Sequence, residues 1–121
     1  MELSLNSSVV DAVPVLEVGG DVDVYSSQAL RERLDALLVE APHSVVVDLS
    51  QVAFLDSTGL GTLVESLKQA EELGGTLQIA GPQDRVLKLF RITGLDSVFA
   101  IHDSVDRAIA QVAGPSPAES A

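Results

Sequence analysis

The residues best suited to chemistry form one short segment in the middle of the chain, Asp56-Ser57-Thr58-Gly59-Leu60-Gly61. An apolar, strand-like run precedes this segment, and an amphipathic helical pattern begins at about Leu60. A hydroxyl side chain at such a junction points outward at the positive end of a helix, where backbone amides and the helix dipole favour an anion, including a covalently attached phosphate. The segment therefore suggests a hydroxyl group controlled by phosphorylation. Ser57 or Thr58 could equally be only the N-cap of the helix, because Ser and Thr are preferred there.

A second group of candidate residues is acidic. Asp21 and Asp23 lie on one predicted loop, and Asp56 follows a strand that we expect to end at the same edge of the sheet. Carboxylates in this arrangement suggest magnesium or phosphoryl-transfer chemistry, as in a phospho-aspartate receiver domain. A receiver also needs a lysine after its last strand, but Lys68 and Lys88 both fall within predicted helices, and a receiver begins β-α rather than β-β. The receiver is therefore the weaker alternative, and no metal site is predicted.

No other catalytic constellation emerges from the sequence. His43 and His102 are isolated, and no Gly-x-Ser-x-Gly elbow surrounds Ser57. The Gly-Gly pairs lack the lysine and spacing of a phosphate-binding loop, and the absence of cysteine excludes thiol catalysis. We therefore predict a protein that is not an enzyme and that carries no cofactor.

The composition narrows the class of partner. The net charge of −11 makes direct binding to nucleic acid or to an anionic membrane surface unfavourable. A basic protein partner is favoured instead, although acidity also serves solubility alone. The chain starts without a signal-peptide pattern and has no apolar stretch long enough to cross a membrane, so we expect a cytoplasmic protein.

Hydrophobic periodicity predicts a single α/β domain over residues 1–113, with the element order β-β-α-β-α-β-α-β-α. Strands that alternate with helices indicate a mostly parallel sheet, and the opening β-β pair makes the sheet mixed. Gly19-Gly20 is expected to end the second strand, residues 98–101 to form the last strand, and Asp103 or Ser104 to cap the last helix. The small, Pro-rich residues 114–121 are predicted to be a disordered tail.

Four stretches carry a resemblance to a known family. Residues 47–61 resemble the central motif of bacterial anti-sigma factor antagonists, the STAS-domain family. Residues 20–23 are similar to the family's Gly-Glu-Leu-Asp loop, with Asp21 in place of Glu, and residues 77–81 and 86–96 resemble its late strand and short helix. The likeness spans about residues 3–113.

The resemblance implies a phosphorylation switch. In the family, the unphosphorylated antagonist binds an anti-sigma factor and so frees a sigma factor to direct transcription. The anti-sigma factor is commonly also an ATP-dependent serine kinase whose phosphorylation of the antagonist ends the complex, and a metal-dependent serine phosphatase reverses this step. By position, Ser57 matches the phosphoacceptor and Asp23 the polar loop residue beside it; the partner-facing turn corresponds to Asp56, Ser57, Thr58, Gly59, Leu60 and Gly61.

Two questions stay open at this level. Thr58 could compete with Ser57 as the phosphoacceptor. The alternative function is a STAS-type scaffold or ligand-sensing module that phosphorylation does not control, in which Ser57 is only a helix cap.

Overall fold

The computed structural model describes residues 2–113. Within this range the chain forms five strands, four α-helices and one 3-10 helix in the predicted order. The strands are β1 (Ser4–Val10), β2 (Val13–Val22), β3 (Val45–Leu55), β4 (Leu77–Ala80) and β5 (Ile101–His102). The helices are α1 (Ser27–Val39), α2 (Ser57–Glu72), α3 (Asp84–Ile92), the 3-10 helix (Leu95–Ser97) and α4 (Val105–Ala113). The tail predicted at 114–121 lies outside the described residues.

The strands form one mixed sheet in the order β1-β2-β3-β4-β5. β1 pairs with β2 antiparallel, and the three other pairs are parallel. This arrangement confirms the predicted fold class. In the register of β2 and β3, Val22 lies opposite Leu55, so both strands end at the same edge of the sheet.

Helices cover both faces of the sheet. Alternate residues of a strand point to opposite faces, and β3 shows this in Val45, Val46 and Val47, which are all fully buried. Val45 and Val47 belong to the larger core, to which α1, α2 and α3 contribute. Val46 belongs to a smaller core beneath α4, which contributes Ala108 and Ile109. The continuous apolar run of β3 is thus explained by burial on two sides.

The prediction that Gly19-Gly20 ends the second strand is wrong. β2 continues through both glycines to Val22, with shifts in its pairing to β3 on either side of them. A Cβ added at Gly19 would lie 2.6 Å from the Ser4 Oγ atom on β1, and Gly20 has a φ of +87°. The glycines therefore allow an irregular strand that a side chain would obstruct, since such bulges favour glycine. Asp21 accordingly belongs to β2 rather than to a loop.

Two further boundaries differ from the predictions. α2 begins at Ser57 instead of Leu60. The last strand is Ile101–His102 instead of 98–101, because the Phe99 amide donates to the Leu95 carbonyl at 2.9 Å and the Phe99 side chain is buried in the core. The predicted cap at Ser104 is confirmed, since its hydroxyl accepts a hydrogen bond from the Arg107 amide at 3.2 Å.

Candidate functional site

The turn between β3 and α2 is held by Asp56. Asp56 has an extended backbone, and its Oδ1 atom accepts a hydrogen bond from the Gly59 amide at 3.0 Å. Its carbonyl accepts the first helical bond, from the Leu60 amide, at 3.0 Å. These are the two functions of an N-cap residue. The suggestion that Ser57 or Thr58 caps α2 is therefore wrong.

Replacement of Asp56 tests this assignment. We expect Asp56→Ala to lower the free energy of unfolding by about 1 kcal/mol, the usual effect of removing an N-cap side chain. Asp56→Asn should change it little, because Asn is an equally good cap. Urea denaturation of both variants and the parent measures the difference. An Ala variant as stable as the parent would show that the cap contributes nothing.

Because Asp56 caps α2, the hydroxyl groups of Ser57 and Thr58 are not needed as helix caps. Both residues are exposed and occupy the first two positions of α2. The amides of a first helical turn have no acceptor within the helix, and they combine with the helix dipole to favour a negative charge. A phosphate on Ser57 would therefore lie in a local environment that tolerates its charge.

The remaining residues of the turn face inward. Gly59 and Leu60 are buried, and a Cβ at Gly59 would lie 2.5 Å from Leu55 Cδ1 and 2.7 Å from Val22 Cγ1. These two residues therefore pack the turn against the core. Because they are buried, they are not favoured as direct contacts of a partner. Gly61 is half-buried, and a Cβ added there would meet no atom within 4 Å.

The loop after β2 lies beside this turn. The Asp56 amide donates to the Val22 carbonyl at 3.1 Å, which joins the turn to the end of β2. Asp23 follows immediately, and its Oδ1 atom accepts hydrogen bonds from the amides of Tyr25 at 2.9 Å and Ser26 at 3.0 Å. Asp23 thus shapes the loop that leads into α1, an Asx-type turn. The structure brings the Asp23 loop and the Ser57 turn to the same sheet edge.

The acidic residues do not form a metal site within the part of the chain that the structure describes: no three His, Cys, Asp or Glu side chains there could hold one ion. Asp21 is paired with Phe54 in the sheet, and Asp23 and Asp56 each have an Oδ1 atom engaged with nearby amides. Among residues 2–113, no helix has the length and hydrophobicity to cross a membrane.

Sequence reasoning missed two aromatic residues at this edge. Tyr25 is 91% exposed and Phe54 is 48% exposed. Tyr25 follows Asp23 by two positions, and Phe54 precedes the Ser57 turn within a run that otherwise reads as core. The available signal was the scarcity of aromatic residues, since the chain has only three Phe and one Tyr.

Comparison with known proteins identifies the family. The family model for the STAS domain matches residues 4–108. An anti-sigma-B factor antagonist of Staphylococcus aureus is 33% identical over 106 residues, which cover 88% of this chain and 98% of that protein. The chain belongs to the STAS-domain family of bacterial anti-sigma factor antagonists.

Other STAS-domain proteins are similar to this chain in sequence or in fold. An anti-sigma-B factor antagonist of Staphylococcus epidermidis is 35% identical over 106 residues, with the same coverage of 88% and 98%. The crystal structure of an anti-sigma factor antagonist from Mycobacterium paratuberculosis matches with a TM-score of 0.84 and 26% identity, covering 93% of this chain and 95% of that one. Each of these relatives is named as an antagonist of an anti-sigma factor.

Proposed function

We propose that the protein is an anti-sigma factor antagonist that binds an anti-sigma factor while Ser57 is unmodified, and thereby releases a sigma factor. The observation that carries the proposal is that, at the start of α2, one residue caps the helix and a different residue presents an exposed hydroxyl. Asp56 caps the helix, so the exposed Ser57 hydroxyl is available to a kinase and is not required by the fold. The STAS-domain relatives named anti-sigma-B factor antagonists support the choice of partner.

The proposed switch is electrostatic. Phosphorylation of Ser57 adds close to two negative charges at pH 7. The positive end of the α2 dipole stabilises these charges, so the domain stays folded. A partner surface that fits closely around a neutral hydroxyl does not stabilise them, because the larger dianion would lose its hydration there, and the basic side chains that we propose for the partner lie at the border of the interface and not at Ser57. Asp23 and Asp56, which are half-buried on the same sheet edge, add to the negative potential there.

Two enzymes set the proposed switch. The anti-sigma factor itself acts as the ATP-dependent serine kinase, and a serine phosphatase restores the active form. All three proteins would meet in the cytoplasm, where sigma factors direct transcription. The antagonist contributes a substrate hydroxyl and a docking surface, and it needs no cofactor of its own.

Mapping the phosphate tests the assignment of Ser57. The purified anti-sigma kinase of the same bacterium and ATP should add one phosphate per chain, and tandem mass spectrometry should locate it on Ser57. Ser57→Ala should remain unmodified, whereas Thr58→Ala, altered at the neighbouring exposed hydroxyl, should be phosphorylated like the parent. A phosphate found on Thr58 of the parent chain, with Ser57 unmodified, would overturn the assignment.

A further inference from the structure

We propose that Tyr25 and Phe54 are the apolar anchors by which the protein binds its anti-sigma factor, inserting into a nonpolar pocket bordered by basic side chains. The inference rests on the proposed function and names contacts outside the Asp56–Gly61 segment. It concerns the edge of the sheet where β2 and β3 end, which we call the aromatic edge and define by the exposed residues Val24, Tyr25 and Phe54.

The four aromatic side chains are divided between the core and the edge of the sheet. Phe90 and Phe99 lie in the core, where their rings pack edge to face with centroids 5.5 Å apart. The other two aromatic residues are Tyr25, 91% exposed, and Phe54, 48% exposed. Aromatic side chains contribute most to stability or binding when they are buried, and they dominate the binding energy of many interfaces. A chain with so few of them leaves half on one edge of the sheet.

Both exposed aromatic residues lie near the turn that carries Ser57. Phe54 pairs with Asp21 and Leu55 with Val22 across β2 and β3, so Phe54 lies one residue from the end of its strand. Tyr25 comes three residues after Val22, whose carbonyl accepts the Asp56 amide at 3.1 Å. Both aromatic residues therefore flank the turn that carries Ser57. A phosphate on Ser57 would be introduced beside apolar contacts, where an unpaired charge costs most.

The backbone that carries both aromatic side chains is fixed before binding. The Tyr25 amide donates to Asp23 Oδ1, which fixes the backbone of the loop. A shift in the pairing between Gly20 and Asp21 adds one residue to β3 just before Phe54, and such bulges redirect side chains. Leu55 enters the larger core, so Phe54 points to the other face of the sheet, and a partner that contacts both aromatic side chains must span the end of the sheet. A backbone that is already fixed loses less conformational entropy on binding.

Acidic residues lie near the exposed apolar side chains. The aromatic edge includes Val24, which is 59% exposed, and it lies among the half-buried Asp21, Asp23 and Asp56. An apolar centre with an acidic border fits a partner whose pocket is nonpolar with a basic border, because complementary potentials guide association and fix orientation. The net charge of −11 favours the same choice of partner.

Isothermal titration calorimetry with the purified anti-sigma factor of the same bacterium tests the proposal. We expect Tyr25→Ala and Phe54→Ala each to weaken binding by about 30-fold or more, as for interface hot spots. Tyr25→Phe, which keeps the ring, should bind within about two-fold of the parent. Ile92→Ala, on the exposed face of α3 at 72% exposure, is the matched control and should also stay within about two-fold.

Failure of this inference can be told apart from failure of the proposed function. If Ser57→Asp loses binding while Tyr25→Ala and Phe54→Ala bind within about two-fold of the parent, the aromatic edge is not the anchor and the switch stands. If the unmodified parent does not bind the anti-sigma factor, the proposed function itself fails. Phe54 is half-buried, so circular dichroism checks that variant; if Phe54→Ala is unfolded, Tyr25→Ala decides alone, because 91% of Tyr25 is exposed.

Discussion

Ser57→Asp is expected to weaken binding of the anti-sigma factor by about 100-fold, whereas Ser57→Ala should bind like the parent. The aspartate places one negative charge at the first position of α2, where the helix tolerates it and the partner surface does not. Removal of the hydroxyl should be harmless, because Asp56 and not Ser57 caps the helix. Calorimetric titration of the purified partner into each variant measures the difference.

The control for this prediction is a charge added elsewhere. Gln111→Glu introduces one negative charge at an exposed position of α4 and should leave the affinity within about two-fold of the parent. Equal binding by Ser57→Asp and Ser57→Ala would contradict charge as the switch. That outcome would favour a STAS-type scaffold or ligand-sensing module that phosphorylation does not control.

Gly75→Ala is expected to lower the free energy of unfolding by about 3 kcal/mol or more, which is a large part of the stability of a small domain. A Cβ at Gly75 would lie 1.9 Å from the His43 carbonyl oxygen and 2.7 Å from the buried Ser44 Oγ atom. The close approach is fixed by the end of α2, where the Gly75 amide donates to the Ala70 carbonyl at 2.8 Å. Backbone must therefore move to accept the methyl group.

Gly61→Ala is the matched control, since it makes the same chemical change within α2. Its Cβ would meet no atom within 4 Å, and alanine is preferred to glycine in a helix by about 1 kcal/mol, so the variant should be as stable as the parent or more stable. Urea denaturation of both variants provides the comparison. If Gly75→Ala lowers the free energy of unfolding by less than about 1 kcal/mol, the loop at His43 moves aside at little cost and the prediction is wrong.

Much of the architecture could be predicted because it follows from burial. The spacing of Leu60, Leu63 and Leu67 reflects one face of α2 against the core, and the continuous apolar run of β3 reflects burial on two sides. The parallel sheet follows from the alternation of strands and helices. The location of Ser57 at a helix start also follows from local sequence, although the helix boundary was misplaced by three residues.

The remaining features depend on contacts between distant residues. Asp56, Ser57 and Thr58 are all competent N-caps, and the selection of Asp56 accompanies the close packing of Gly59 on Val22. Gly19-Gly20 has the pattern of a turn, yet β1 and β3 on either side keep it within the sheet. The exposure of Tyr25 likewise depends on the fold of its loop.

The most direct test of the central claim compares two forms of the same chain. Kinase-treated protein, phosphorylated at Ser57 and verified by mass, is titrated against the purified anti-sigma factor beside untreated protein. We predict tight binding of the untreated form, loss of about 100-fold or more in affinity on phosphorylation, and recovery after phosphatase treatment. Equal affinity of the two forms would contradict the account.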